Sequence, residues 1–154
     1  MRVLRRHGRL RLRLEPVEVD MLLSLLDQLE AVLDEDADDE VRQRLFPSAY
    51  RDDAGAEAEY RELTESTLAL ERSERIGACR AELAHDSDVD LSTPEASRRW
   101  IQVLNDLRLA LGTRLGVSED DPPDFDPDAP DGQIRAIYHW LTAVQDSVVG
   151  ALLH

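Results

Sequence analysis

Residues 9–14 read Arg-Leu-Arg-Leu-Arg-Leu. A strict period of two puts the leucines on one face of a strand and the arginines on the other. His7-Gly8 precedes this run and can form a tight turn, with Gly supplying positive φ. Residues 2–6 are therefore expected to form the partner strand. Val3 and Leu4 are adjacent and do not alternate, so the pattern leaves the register open. An isolated hairpin is marginal in water, and its leucine face is expected to dock on helices.

From Glu15-Pro16 onward the period changes to that of a helix. Leu22, Leu25, Leu26, Leu29 and Leu33 form one stripe, widened by Val19 and Leu23. The run from Asp34 to Glu40 reads as a solvated connector whose last acids cap a short helix through about Phe46, stopped by Pro47. A loop from Tyr50 to Gly55 leads into a polar helical region over 56–84, whose stripe is thin until Ile76, Cys79 and Leu83. A break is expected near Thr64–Thr67, because Ser and Thr favour caps over helix interiors. Residues 85–92 read as a loop. Ser92-Thr93-Pro94-Glu95 is a helix start, with a hydroxyl cap, Pro in the first turn and an acid beside it. That helix carries Ala96, Trp100, Val103, Leu104, Leu107 and Leu111 on one face and ends at Leu115-Gly116, with Gly as a left-handed cap. An acidic, proline-bearing loop spans 117–131. Asp131 is then expected to cap a final helix with Ile134, Ile137, Tyr138, Leu141, Val144, Val148 and Leu152 in register.

The expected fold is mainly α: a helical bundle of five or six helices with a short N-terminal β-hairpin. The 154 residues suit one domain, with a basic hairpin over 1–14 and a helical body over 16–153 that carries acidic loops near 34–40 and 117–131. The apolar fraction of 42% is enough for a globular core, and aromatics at 5% leave Leu, Val and Ala to fill it.

Charge changes the picture. The net charge is −15, and all 18 basic residues are Arg. Residues 1–14 hold six of them (Arg2, Arg5, Arg6, Arg9, Arg11, Arg13) and no acid, so the remainder carries 12 Arg against 33 acids, or −21. A field of that sign repels nucleic acid and membrane surfaces, so any anion-binding surface must be local to the N-terminal segment. The single cysteine excludes an intramolecular disulfide. No signal peptide and no apolar stretch of membrane-spanning length is read, so the expected location is the cytoplasm, without membrane contact.

Little in the chain points to catalysis. Cys79, the lone cysteine, is either a redox-active thiol or a buried packing residue on the Ile76/Leu83 stripe. Asp124, Asp126 and Asp128 begin like a calcium loop, but Ala129 and Arg135 stand where Gly and an acid are needed. The four histidines are scattered, and no triad, phosphate loop or glycine fingerprint is present. No enzyme activity, metal or cofactor is expected. Two constellations suggest binding instead. Arg9, Arg11 and Arg13 on one strand face could grip phosphates of DNA or a partner, or pair with the acidic body of the same protein. Asn105, Arg108 and Gly112 lie along one side of the fourth expected helix and mark either a helix crossing or a partner groove. Gly112 costs about 1 kcal/mol there relative to Ala, so close approach of another backbone is its expected use.

The stretch Leu104-Asn105-Asp106-Leu107-Arg108-Leu109-Ala110-Leu111-Gly112-Thr113-Arg114-Leu115-Gly116, followed by Glu119-Asp120-Asp121, resembles the signature of the actinobacterial oxidative-stress transcriptional regulators of AosR type. That family was long described as a domain of unknown function. Arg44-Leu45-Phe46-Pro47-Ser48-Ala49-Tyr50 and Tyr138-His139-Trp140-Leu141-Thr142 with Gln145-Asp146-Ser147 resemble it too. The resemblance implies a cytoplasmic regulator tied to redox stress and sulfur metabolism, with genes often beside a ClpS-type protease adaptor. A redox-switched member would close a disulfide between two cysteines; here Arg75 and Leu83 flank Cys79 at four residues' distance, so no intramolecular switch can form. Two functional readings follow: a transcriptional regulator reaching DNA through its N-terminal arginines or acting indirectly, and a protein-interaction module or adaptor linked to Clp proteolysis. A protein partner and a homodimer are both compatible with either.

Overall fold

The computed structural model describes residues 1–34, 40–46, 53–116, 126 and 128–154. Along the chain run β1 (Arg2–Arg6), β2 (Arg9–Arg13), α1 (Pro16–Asp34), α2 (Glu40–Leu45), α3 (Ala54–His85), β3 (Asp88–Asp90), α4 (Pro94–Leu115) and α5 (Gly132–Leu153). Five helices and a three-stranded antiparallel sheet of order β1-β2-β3 thus make the described fold mainly α. The acidic or proline-bearing stretches 35–39, 47–52 and 117–125 lie outside the described residues, as do Pro47 and Asp124.

The hairpin turns on two positive-φ residues, His7 at 50° and Gly8 at 76°, the backbone a tight two-residue connection requires. The pairing Arg2↔Arg13, Val3↔Leu12, Leu4↔Arg11, Arg5↔Leu10 and Arg6↔Arg9 supplies the register that the β1 residues alone left open. Leu10, Leu12 and Leu14 are buried, so the leucine face docks on the helices as its alternation requires. Two expectations are corrected here. Residues 85–92 are not a plain loop, because α3 runs to His85 and Asp88–Asp90 forms a third strand on β2. Val89 stands opposite Leu12 on the buried face, while Asp90 and Asp88 stand opposite Arg11 and Arg13; apolar and opposite-charge cross-strand pairs both favour this register. Nor does α3 break near Thr64–Thr67: it is one helix of 32 residues. The local preference of Ser and Thr is worth only tenths of a kcal/mol, and it yields to packing, since Ile76, Cys79 and Leu83 anchor the helix in the core.

Helix α4 forms the centre of the body and packs against α1, α2, α3 and α5. Thr93 caps it, Oγ1 accepting from Ala96 N at 3.1 Å, and Gly116 ends it at φ 67°, its N–H donating to the carbonyls of Gly112 and Thr113. Trp100, Val103, Leu104 and Leu107 are buried from α4, with Leu22 and Leu26 from α1 and Leu141, Val144 and Val148 from α5. Asp131 occupies the N-cap position of α5 but makes no capping hydrogen bond. Its carboxylate instead accepts from Arg135 Nε at 2.7 Å. Polar ties hold α3 in place: Arg80 pairs with Asp27 at 3.0 Å and with Glu30, while Trp100 Nε1 and Arg99 both donate to Glu82. No helix among the described residues is long and apolar enough to cross a membrane.

Candidate functional site

In an antiparallel sheet, directly paired residues share a face. The register therefore gathers Arg2, Leu4 and Arg6 of β1, Arg9, Arg11 and Arg13 of β2, and Asp88 and Asp90 of β3 on the outer face. Leu4, Arg6, His7, Arg9, Arg11 and Arg13 line a cleft of about 510 Å³ there. The three arginines singled out from the alternation do stand in one row. Their partners differ. Arg13 is bound in a fork by Asp88, Nε to Oδ1 at 3.0 Å and Nη2 to Oδ2 at 3.1 Å. That hydrogen bond holds the Asp88 carboxyl below its usual range, against the opposing effect of burial, with Arg11 adding to the pull. Asp90 is held low by hydrogen bonds from Ser92, and the charges of Arg11 and Arg9 reinforce them. Arg2, Arg6, Arg9 and Arg11 have no carboxylate within ion-pair distance among the described residues. The face thus carries five guanidinium groups against two carboxylates, with Leu4 as an apolar centre opposite Arg11.

A second concavity joins the other constellation. Glu40 and Arg44 of α2, Asn105, Arg108, Leu109, Gly112 and Thr113 of α4, Gly116 and Tyr138 line a groove of about 420 Å³. Asn105, Arg108 and Gly112 are therefore brought together, along one wall. Both a helix crossing and an open groove are present. Arg108 Nε donates to Thr142 Oγ1 at 3.0 Å and Nη1 to Gln145, which ties α4 to α5. Its guanidinium lies 5.8 Å from the centroid of the Tyr138 ring. The expected close backbone at Gly112 is corrected: a Cβ there would meet Tyr138 Cε2 at 3.3 Å, so the glycine makes room for a ring. The three blocks that carry the resemblance, around Arg44, Asn105–Gly116 and Tyr138–Gln145, all contribute to this groove or its supports. Glu40, Arg44 and Tyr138 were not readable as companions of Asn105 in one groove, nor Thr142 and Gln145 as partners of Arg108, because residues far apart in the chain meet only through helix packing.

Cys79 lies elsewhere, fully buried in the core. Burial, and then the charge of Glu82, push its thiol up to about 12, so it stays protonated at neutral pH and lacks the thiolate a reactive cysteine needs. A disulfide reagent such as DTNB is expected to leave the native protein unlabelled while the same protein in guanidinium chloride reacts fully. Equal rates in the two conditions would show that the core around Cys79 opens freely. No group of three His, Cys, Asp or Glu among the described residues is arranged to hold a metal ion.

Comparison with known proteins agrees with the resemblance. A Mycobacterium leprae protein named "Putative oxidative stress regulator AosR" is 39% identical over 69 residues, which cover 44% of this chain and 32% of that protein. The match thus spans about a third of that relative's length. No solved structure matches the chain. The profile of a domain of unknown function, DUF2017, matches residues 1–152, and the chain belongs to that family.

Proposed function

We propose that this chain is a non-enzymatic cytoplasmic regulator of the oxidative-stress kind for which its relative is named, and that it acts by binding through the outer face of its sheet. One observation carries the reading. Arg6, Arg9 and Arg11 stand over one cleft, without a carboxylate partner among the described residues, on a chain whose net charge is −15. In a protein with such an excess of acids, cations left without partners at one place mark where an anionic surface is received. DNA is the first partner to test. Each phosphate contacted contributes about −0.9 to the slope of log K against log salt. An Arg6/Arg9/Arg11→Ala variant is expected to flatten that slope by about 3 and to weaken binding at low salt. Superimposable curves for the two proteins would overturn direct DNA contact.

The second reading is a protein-interaction module, an adaptor of Clp-type proteolysis among its forms. Leu4 at the centre of the face and Asp88 and Asp90 at its margin favour it. An apolar spot ringed by cations suits an acidic protein segment with an apolar anchor better than a phosphate backbone. Capture from native lysate by the parent protein and by the same variant separates the readings, since a partner of this face is lost from the variant.

A further inference from the structure

We propose that the groove between α2, α4 and α5 is a binding site for a small carboxylate-bearing metabolite of amino-acid type. Arg108 is half-buried, yet its hydrogen-bond partners among the described residues, Thr142 and Gln145, are neutral. They fix the guanidinium through Nε and Nη1 and leave Nη2 without an acceptor among the described residues. The Asn105 amide, the Arg44 guanidinium and the Tyr138 hydroxyl also have no protein partner among the described residues; Asn105 and Arg44 are exposed, and all three line the same open groove, within reach of a ligand from solvent. A concavity with a few convergent polar groups is the usual form of a small-molecule site. At about 420 Å³, this one has the volume of a metabolite rather than of a water cluster.

Charge selects the ligand class. Two guanidinium groups and one carboxylate, Glu40, line the groove, in a chain that is otherwise strongly acidic. Nη2 of Arg108 offers a carboxylate a charge-assisted donor, and the whole Arg44 guanidinium can offer paired N–H groups. Arg108 is held in advance by its neutral anchors, so little freedom is lost when it accepts an anion. Glu40 precedes Arg44 by one helical turn and gives an ammonium group a counter-charge beside the cations. Carboxylate at the arginines and ammonium at Glu40 describe an α-amino acid. Gly112 keeps the floor open, because any side chain there would compete with Tyr138 for the space. This site is independent of the arginine face of the sheet and of what that face binds.

Calorimetry and thermal melts with L-glutamate, succinate and inorganic phosphate test the assignment. At about 10 mM ligand, even a Kd near 1 mM raises Tm by roughly 3–5 °C. Glutamate is expected to give the largest shift, succinate a smaller one and phosphate none. Asn105→Ala and Arg44→Gln remove exposed groups that make no hydrogen bond or ion pair among the described residues, so their ligand-free Tm should stay near the parent value while glutamate affinity falls about tenfold. Glu40→Gln should bring glutamate down to the level of succinate. No heat and no shift with any of the three probes would overturn the proposal, as would glutamate binding left unchanged in both Asn105→Ala and Arg44→Gln. A response to phosphate alone would overturn the amino-acid assignment.

Discussion

Replacing Trp100 by alanine is expected to lower stability by about 3–5 kcal/mol, the range for emptying a large aromatic site in a core. Trp100 is 1% exposed and belongs to α4, the helix against which the other four pack. Domains of this size hold roughly 5–15 kcal/mol in all, so the variant should be only marginally folded at 37 °C. The indole also does polar work, since Nε1 donates to Glu82 Oε2 at 2.6 Å. Trp100→Phe separates the two contributions. It keeps most of the packing and loses one hydrogen bond to a charged acceptor, about 1.5–3 kcal/mol. Glu82 keeps Arg99 as a partner, which should hold the cost near the lower end. Urea unfolding measures both, as a fall in midpoint at unchanged m. If Trp100→Phe cost as much as Trp100→Ala, the tie to Glu82 would outweigh the packing.

Much of this architecture could be read in the residues. The Arg-Leu alternation places the arginines outside and the leucines inside, and both placements hold. Thr93-Pro94 and Gly116 mark the ends of α4 because capping is local chemistry, decided within a turn of the chain. What escaped was non-local. Strand β3 is three residues long, too short for periodicity to register, and it exists because β2 lies beside it. The neighbours of Gly112 could not be named, since Tyr138 arrives from another helix. The supposed break in α3 failed for the opposite reason: a weak local preference was overridden by the buried residues toward its C-terminal end. The buried Asp106 belongs in the same class. It faces outward in no sequence pattern, yet it is 8% exposed and lies 3.4 Å from Arg72. Burial raises its pKa against the pull of Arg72 and Arg75. A raised carboxyl binds its proton more tightly in the folded state, so this residue subtracts from stability as pH rises above its usual range. Asp88, Asp90 and Glu18, all held low, act in the opposite sense and withdraw stability as pH falls through the acid range.

The candidate sites divide along the same line. The arginine row was visible because it lies within five consecutive residues, whereas the two acids beside it, of which Asp88 pairs with Arg13, were not, because they belong to β3. Asn105, Arg108 and Gly112 were visible as one side of a helix, but the void in front of them is made by α2 and α5. A pattern can show which groups share a surface. Whether that surface faces protein or an open groove depends on elements elsewhere in the chain.

Leu12 connects the core to the proposed contact surface, and Leu12→Ala is expected to cost about 2–5 kcal/mol. Its side chain is fully buried at the centre of the sheet, between Val3 and Val89 on the neighbouring strands. The backbone ladder survives the substitution, but the face that fastens the sheet to the helices loses its central residue. Beyond β2, β1 is tied to the body by few polar contacts, one being Arg5 Nη2 to the carbonyl of Ala151 at 2.6 Å. Local opening of the hairpin should therefore become easier than global unfolding. Hydrogen exchange reads this directly: amides of β1 and β2 should lose protection by more than those of α4 in the variant. Partner binding through Arg6, Arg9 and Arg11 should weaken in parallel even though none of the three is altered, because a row of guanidinium groups on a fluctuating strand must be ordered at the moment of binding. A loss below about 1 kcal/mol with uniform exchange would show that the hydrogen-bonded ladder, and not the leucine face, holds the sheet on the helices.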